Sequence, residues 1–131
     1  MLLHAACHCR AVRVEVRVKP PLEAIRCNCS ICTKTGFLHV ITPASAFRLV
    51  AGEESLSCYT FNSGIAKHYF CSVCGARPFY IPRSNPDGYS VNARCLDTIP
   101  DDMVIRDFDG QNWEQHADTL VHLSRDTVGG K

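Results

Sequence analysis

The sequence predicts a mainly β domain in which small sheets pack on one another or form a half-open barrel. Three observations support this prediction: one run in which apolar and charged residues alternate, a series of short β-prone runs separated by turn residues, and the lack of a long amphipathic helical pattern. The 131 residues suffice for one domain with one modest core. We expect a single domain over residues 1–131, with its core at about 4–116 and a C-terminal tail at 117–131, of which 127–131 is frayed.

The first predicted strand covers residues 11–18, where valines alternate with charged side chains. The valines that share one face of this strand are Val12, Val14, Val16 and Val18. Two prolines, at 20 and 21, end it. Further short strands are predicted, in chain order, over residues 37–41, 47–50, 56–61, 67–70, 77–81 and 88–95. Turn-forming residues separate these runs, and a short helical turn is predicted near 99–103.

The charge balance gives no reason to expect binding to nucleic acid or to a membrane surface. Lys and Arg number 14 against 13 Asp and Glu, which leaves a net charge of +1. The apolar run at the start, MLLHAACHCR, is too short for a secretory signal, and no segment has transmembrane length. We therefore expect a cytoplasmic protein, in a reducing compartment where disulfides are rare.

Nine cysteines in a reducing compartment favour metal binding over a disulfide framework. Seven of them fall into three clusters along the chain: Cys7 and Cys9; Cys27, Cys29 and Cys32; Cys71 and Cys74. The other two, Cys58 and Cys95, stand alone. We expect both to be small apolar side chains in the interior, with Cys58 on the core face of its strand.

The segment FCSVCG, residues 70–75, is typical of a zinc knuckle, in which a tight turn directs two sulfurs at one ion and the glycine adopts a positive φ. Cys71 and Cys74 supply half of a tetrahedral site. Cys7 and Cys9 can supply the other half, because residues i and i+2 of a strand face the same way. The alternative is a redox-active C-x-x-C pair, which the lack of a thioredoxin-like βαβ pattern disfavours.

The segment CNCSIC, residues 27–32, predicts a second metal site that has three protein ligands. A closed structural zinc site has four ligands, whereas a catalytic site keeps one position for water or substrate. An open zinc site on Cys27, Cys29 and Cys32 is therefore one interpretation. The alternatives are an iron–sulfur cluster, three free thiols, or a closed site completed by Cys58, Cys95, His39 or His68.

Three segments, in this order, resemble the family of glutathione-dependent formaldehyde-activating enzymes: ACHCRAVRVEV, CNCSICTKTG and HYFCSVCGARPFY. The resemblance covers residues 4 to about 116, and the segments at 80–97 and 108–114 are most similar to the branch that contains centromere protein V. It implies an Mss4-like fold of small packed antiparallel β-sheets stapled by zinc. It also implies two Zn²⁺ ions per chain, a structural one on Cys7, Cys9, Cys71 and Cys74 and a catalytic-type one on Cys27, Cys29 and Cys32.

The same resemblance implies a carbon–sulfur lyase that adds glutathione reversibly to formaldehyde, giving S-(hydroxymethyl)glutathione. We expect the substrate thiol to take the fourth position of the second zinc, where the metal lowers the thiol pKa. Arg83, Asn85 and Arg94 are candidates to bind the glutathione carboxylates, because arginine is the usual bidentate carboxylate partner; the alternative is that they only solvate their loop. The segment CGARPFY departs from the more usual family pattern, which leaves the identity of the thiol and of the aldehyde open.

Three other side chains are expected to be structural. His39 either packs in the core or donates a hydrogen bond to a metal-binding group. His68 is expected to face solvent, the alternative being that it touches the metal site. Trp113 is expected to anchor the core, the alternative being that it forms a platform for the substrate. Two further functions are open: a zinc-stabilised binding module without catalysis, which needs only the four-cysteine site, and a redox or aldehyde sensor that oxidises reversibly at its clustered thiols.

Overall fold

The computed structural model describes residues 1–125 and confirms a mainly β fold of small sheets. The strands are β1 (Leu2–Ala6), β2 (Arg13–Arg17), β3 (Glu23–Cys27), β4 (Leu38–Pro43), β5 (Phe47–Ala51), β6 (Leu56–Tyr59), β7 (His68–Cys71), β8 (Phe79–Tyr80), β9 (Gly88–Asn92) and β10 (Val104–Phe108). The α-helices are α1 (Ser30–Thr35) and α2 (Trp113–His116), and a 3-10 segment follows at Ala117–Ser124. No helix within the described residues is long and apolar enough to cross a membrane. The end predicted to fray, 127–131, lies outside them.

The first sheet is three-stranded and antiparallel, in the order β1-β2-β5. Its central strand, β2, carries the alternating valines. Val12, Val14 and Val16 are 1% exposed or less, and cross-strand pairing sets Val16 between Leu3 and Phe47. The predicted alternation is thus confirmed, because one face of β2 packs on the core while its charged residues face water.

The second sheet has five strands in the order β10-β3-β4-β9-β8, and the third is the two-stranded pair β6-β7. The second sheet is antiparallel except at one edge, where β10 runs parallel to β3 and pairs Phe108 with Cys27. This pairing places the segment that follows β10 directly beside the chain that leaves β3. The edge strand therefore forms one wall of the site described below.

Sequence patterns missed β1, β3, β10 and α1, and they overextended β9. Residues 104–107 of β10 are all exposed, so the strand has no buried face to produce an alternating pattern. The predicted strand at 88–95 ends at Asn92, where a short 3-10 turn begins. Near the predicted helical turn at 99–103 there is a single hydrogen-bonded turn, in which the Met103 N–H donates to the Pro100 carbonyl at 3.1 Å.

Asn85 anchors the C-terminal part of the described chain. Its side chain is fully buried, and its amide donates to the Leu120 carbonyl at 2.8 Å and to the Ser124 hydroxyl oxygen at 2.9 Å. The Ser124 hydroxyl donates in turn to Asp87 at 2.6 Å. A buried amide that forms its hydrogen bonds in this way fixes the segment against the second sheet.

Candidate metal centres and the pocket beside them

The structure brings four cysteines from two distant parts of the chain into one group, which we call the four-cysteine cluster (Cys7, Cys9, Cys71 and Cys74). Their Sγ atoms all lie within 4.8 Å of one another. The Cys7–Cys9 and Cys9–Cys71 sulfur pairs are 3.6 and 3.7 Å apart. Four sulfurs around a tetrahedral zinc, with bonds of about 2.3 Å, are about 3.8 Å apart. The donor set and its spacing therefore fit a closed tetrahedral metal site.

Two tight turns build this cluster. In one, Gly75 has a φ of 78° and its N–H donates to the Cys71 carbonyl at 2.8 Å, as the knuckle pattern predicts. In the other, Arg10 takes up the positive φ, at 66°, and its N–H donates to the Cys7 carbonyl at 3.0 Å. The prediction that Cys7 and Cys9 lie on a strand is wrong, because β1 ends at Ala6 and a turn follows. It is this turn that brings the two sulfurs close enough to share an ion.

The second group is the cysteine trio (Cys27, Cys29 and Cys32), whose Sγ atoms also lie within 4.8 Å of one another. Cys27 is the last residue of β3, Cys29 is the N-cap of α1, and Cys32 lies in the first turn of that helix. Within residues 1–125, no fourth cysteine, histidine or carboxylate joins the group. The trio therefore offers three donors to an ion, and no described residue takes the fourth position.

In the trio, ionisation of one thiol disfavours ionisation of the other two. Hydrogen bonds from Cys27 and Cys32 hold the pKa of the Cys29 thiol far below its usual range. The hydrogen bonds among the same sulfurs, together with burial, raise the pKa of Cys32. Three thiolates cannot be held this close without a compensating cation. A divalent metal would supply that cation, so the chemistry of the donors agrees with their spacing.

His39 contacts the trio from the core. Its Nε2 is 3.1 Å from the Cys32 sulfur, while its Nδ1 is 3.2 Å from both the Ser90 and the Tyr80 hydroxyl oxygens. Burial lowers the pKa of His39 to about 4, so its ring is neutral near neutral pH. In the tautomer that carries the ring proton on Nε2, this N–H is donated to Cys32 and Nδ1 accepts from one of the two hydroxyls. This geometry fits the alternative in which His39 orients a metal-binding sulfur.

A pocket of about 340 Å³ opens beside the trio. All three cysteines line it, together with apolar side chains from both edges of the second sheet. The main apolar side chains are Ile25, Ile31, Ile41, Phe61, Phe108 and Leu120. Among the described residues that line the pocket, Arg83 has the only permanently cationic side chain. A ligand in this pocket would thus meet sulfur donors at one side, an apolar surface around its body, and one guanidinium.

Arg83 is held rigidly at the wall of this pocket. Its guanidinium carbon lies 3.4 Å from the centre of the Trp113 ring, and its Nη2 is 3.8 Å from the carboxylate of Glu114. Stacking on an indole orients a guanidinium, and the N–H groups of Arg83 that do not face Glu114 can bind an anion. The prediction that Trp113 is a core anchor is wrong, because the side chain is half-buried and lines the pocket.

The other two candidates for carboxylate binding lie outside this pocket. Asn85 is absent from the lining, and its buried amide is engaged by the C-terminal segment, so we do not retain it as a ligand-binding residue. Arg94 is exposed and its Nε donates to the Gly36 carbonyl at 2.7 Å. It borders a separate depression on the far side of Cys27 and Cys32.

Two further single-residue predictions are wrong. His68 does not face solvent: it is 4% exposed and lines the pocket. Cys58 is exposed on β6 rather than buried on a core face. Cys95 is half-buried and its thiol donates to the Arg77 carbonyl at 3.6 Å. Both lone cysteines lie outside the two metal-binding groups.

Gly110 and Asn28 are site residues that sequence patterns did not single out. A Cβ built on Gly110 would overlap the Cys27 sulfur and lie 3.1 Å from the Cβ of Cys29. Asn28 ties the same loop down: its Oδ1 accepts from the Gln111 N–H at 2.9 Å, and its Nδ2 donates to Asp109 at 3.0 Å. Only the parallel pairing of β10 with β3 brings these residues together. The one sequence signal is the Asp-Gly pair at 109–110, which reads as an ordinary turn.

A family model and a curated relative both point to one family, and a solved structure is similar in fold. A family model described as glutathione-dependent formaldehyde-activating enzyme matches residues 2–112. A Halomonas elongata protein named "Putative glutathione-dependent formaldehyde-activating enzyme" is 34% identical over 84 residues, which are 58% of this chain and 54% of that protein. The chain thus spans about half the length of this curated relative. The crystal structure of a Rhodobacter sphaeroides protein is similar with a TM-score of 0.68 and 37% identity, covering 75% of this chain and 91% of that one.

The two groups are expected to differ in their effect on folding. Cys71→Ser removes a ligand from the four-cysteine cluster, which joins distant turns, and should unfold the domain, because metal binding at such a site contributes folding free energy directly. Cys29→Ser should stay folded and lose one of two metal equivalents. Circular dichroism and metal analysis of both variants measure this. A Cys29→Ser protein that unfolds like Cys71→Ser would contradict the distinction.

A single methyl group is expected to disturb the trio. Gly110→Ala places its Cβ against the Cys27 sulfur and should displace that ligand, so the variant should lose metal from the trio while the four-cysteine cluster keeps its ion. The control is Gly64→Ala, where a Cβ meets nothing within 4 Å. Its φ of 71° strains that turn, but the variant should still keep the metal of the trio. Equal metal content in both variants, measured by release to a chromogenic chelator, would contradict the packing argument.

Proposed function

Because this chain belongs to the family of glutathione-dependent formaldehyde-activating enzymes, we propose that it catalyses the reversible addition of a thiol such as glutathione to formaldehyde or a related aldehyde. The single observation that supports this most directly is the cysteine trio, which has three donors within 4.8 Å and lies at the wall of a pocket. A closed structural site would need a fourth protein ligand. The reaction makes or breaks a carbon–sulfur bond, which is the chemistry of a lyase.

Zinc is the metal we propose for both groups. Cys7, Cys9, Cys71 and Cys74 would hold a structural ion, and the trio a second one. Zinc bound at the trio would lower the pKa of a substrate thiol in the fourth position and keep it as a thiolate at neutral pH. All-sulfur donors favour zinc among the common divalent ions, since magnesium and calcium prefer oxygen ligands.

The residues of the chain then orient the two substrates. The apolar lining excludes water around the reacting carbon, which strengthens electrostatic interactions there. We assign Arg83 to a carboxylate of the thiol substrate, because it is the one permanently cationic side chain among the described residues of the lining and its ring-stacked guanidinium is already oriented. Arg94, in the depression behind the trio, would serve only a ligand that reaches around Cys27 and Cys32.

Two weaker alternatives follow from the same residues. A binding module without catalysis needs only the four-cysteine cluster, and it gives no reason for three converging thiols at a pocket wall. A thiol sensor would use those thiols, but this function would not require the apolar pocket or Arg83. We further propose a reducing, cytoplasmic location, where the cysteines, all free in the part of the chain that the structure describes, remain reduced. Membership of the centromere protein V branch stays a prediction.

The wild-type protein, loaded with zinc, should accelerate the exchange between glutathione, formaldehyde and their adduct. Exchange NMR spectroscopy measures both directions at equilibrium. Cys29→Ser should abolish the acceleration, whereas the matched Cys58→Ser, at an exposed position outside both metal groups, should keep it. X-ray absorption should show a new zinc–sulfur contact when glutathione is added. A wild-type protein with neither acceleration nor a new sulfur ligand would contradict the proposed function.

Arg83→Met should weaken thiol binding rather than the chemical step. Loss of a charged hydrogen bond worth about 1.5 kcal/mol corresponds to a rise of about 10-fold in the KM for glutathione. The kcat should change little. The internal control is a thiol without carboxylates, such as cysteamine, whose KM should be the same in wild type and variant. An equal loss for both thiols would show that Arg83 supports the pocket instead of binding a carboxylate.

A further inference from the structure

The ring of His68 is fixed at the wall of the pocket. His68 is the first residue of β7, and its imidazole stacks on Tyr80 with ring centres 4.9 Å apart and an angle of 13°. On the other side it stacks on Phe61, at 5.4 Å and 21°. It lines the same pocket as the trio. Two aromatic neighbours and burial leave the imidazole no freedom to turn, so its two nitrogens have distinct partners.

Arg77 determines where the proton of that ring lies. Its Nη2 is 2.7 Å from the Nδ1 of His68. A guanidinium has only donors, so Nδ1 must accept and the single proton of a neutral imidazole lies on Nε2. The ring does stay neutral, because burial and then the charge of Arg77 lower the pKa of His68 to about 4. His68 is therefore held as a neutral Nε2–H donor.

The guanidinium of Arg77 has a buried polar atom without a hydrogen-bond partner. Its Nε is buried without a hydrogen-bond partner, and its guanidinium carbon lies 5.8 Å from the centre of the Phe37 ring. Burial lowers the pKa of Arg77, and negative charge on Cys32, Tyr80 or Cys29 would oppose that shift. A half-buried cation is costly unless negative charge lies nearby. The trio supplies that charge, which explains why an arginine is tolerated here.

We propose that the Nε2–H of His68 donates a hydrogen bond to the aldehyde oxygen during the reaction, and that Arg77 is a positioning residue that fixes the donor tautomer. This inference rests on the proposed function. The ring nitrogens of His39 are already engaged by Cys32, Ser90 and Tyr80. Of the two histidines in the pocket lining, His68 is thus the one with an N–H to spare.

The step balances without any further reactant. The sulfur lone pair forms the S–C bond, and the π pair of the C=O bond moves to the oxygen, which becomes negatively charged. His68 stabilises this oxygen by a hydrogen bond and keeps its proton. The oxygen then takes a proton from water, which replaces the proton that the thiol gave to water on ionisation. In the reverse direction the same donor stabilises the same anion before the S–C bond breaks.

Two measurements test the inference. First, long-range ¹H–¹⁵N spectra report the tautomer of His68, which should be Nε2–H in wild type and a mixture in Arg77→Met. Second, His68→Phe keeps a stacked ring but removes the N–H, and should lower kcat by about 10²-fold, as the loss of one such donor does in other enzymes. The KM for glutathione and the metal content should not change. His68→Gln retains an N–H and should recover part of the rate, and Arg77→Lys should preserve the tautomer.

The matched control is His4→Phe, on an exposed strand where the side chain lies 3.5 Å from Glu15 and outside the pocket. It should leave kcat unchanged. An Nδ1–H tautomer in wild type, or an unchanged kcat in His68→Phe with active wild type, overturns the inference and leaves the proposed function intact. A wild-type protein without thiol–aldehyde activity overturns the proposed function and this inference with it.

Discussion

The convergence of four sulfurs on one point organises the rest of this molecule. Cys9 and Cys71 are separated by 62 positions in the chain, yet their sulfurs lie 3.7 Å apart, at the spacing of a tetrahedral metal site. The two turns joined in this way continue into different parts of the structure. After Cys7 and Cys9 the chain enters β2, the central strand of the first sheet. On either side of Cys71 and Cys74 lie His68 and Arg77, which both approach the trio. The turns of the four-cysteine cluster thus help to position side chains beside the cysteine trio.

The two groups of cysteines show how one ligand type supports two kinds of site. Four thiolates fill the coordination of a divalent ion and leave nothing for chemistry, whereas three leave room for an external ligand. The surroundings differ accordingly. Backbone N–H groups face the four-cysteine cluster, as where Val12 donates to the Cys7 sulfur at 3.3 Å. The trio instead has His39 behind it and a pocket in front.

Sequence reasoning succeeded where the signal is local. The cysteine groupings follow from spacings of two or three residues, and the buried valines of β2 follow from strict alternation on a half-buried strand. It failed where a residue takes its role from a distant partner. His68, Trp113 and Gly110 are ordinary in their own segments and become pocket residues only through contacts with distant parts of the chain. The exposed strand β10 carries no periodic pattern, so its parallel partner β3 could not be inferred. The prediction for Cys58 was wrong because alternation alone does not show which face of a strand is buried. The strand β6 lies in a two-stranded sheet, and Cys58 is exposed there.

The late position of β10 in the chain has a consequence for biosynthesis. Asn28 and Asp109, which hold the two sides of the open site together, are 81 residues apart. During translation, the three thiols of CNCSIC are therefore synthesised long before β10, the strand that borders them in the folded protein. In that interval the thiols stand uncovered on a growing polypeptide, where oxidants and stray metal ions can reach them. Under the proposed function, the thiol that we assign as substrate would also be one that keeps these cysteines reduced before the site is complete.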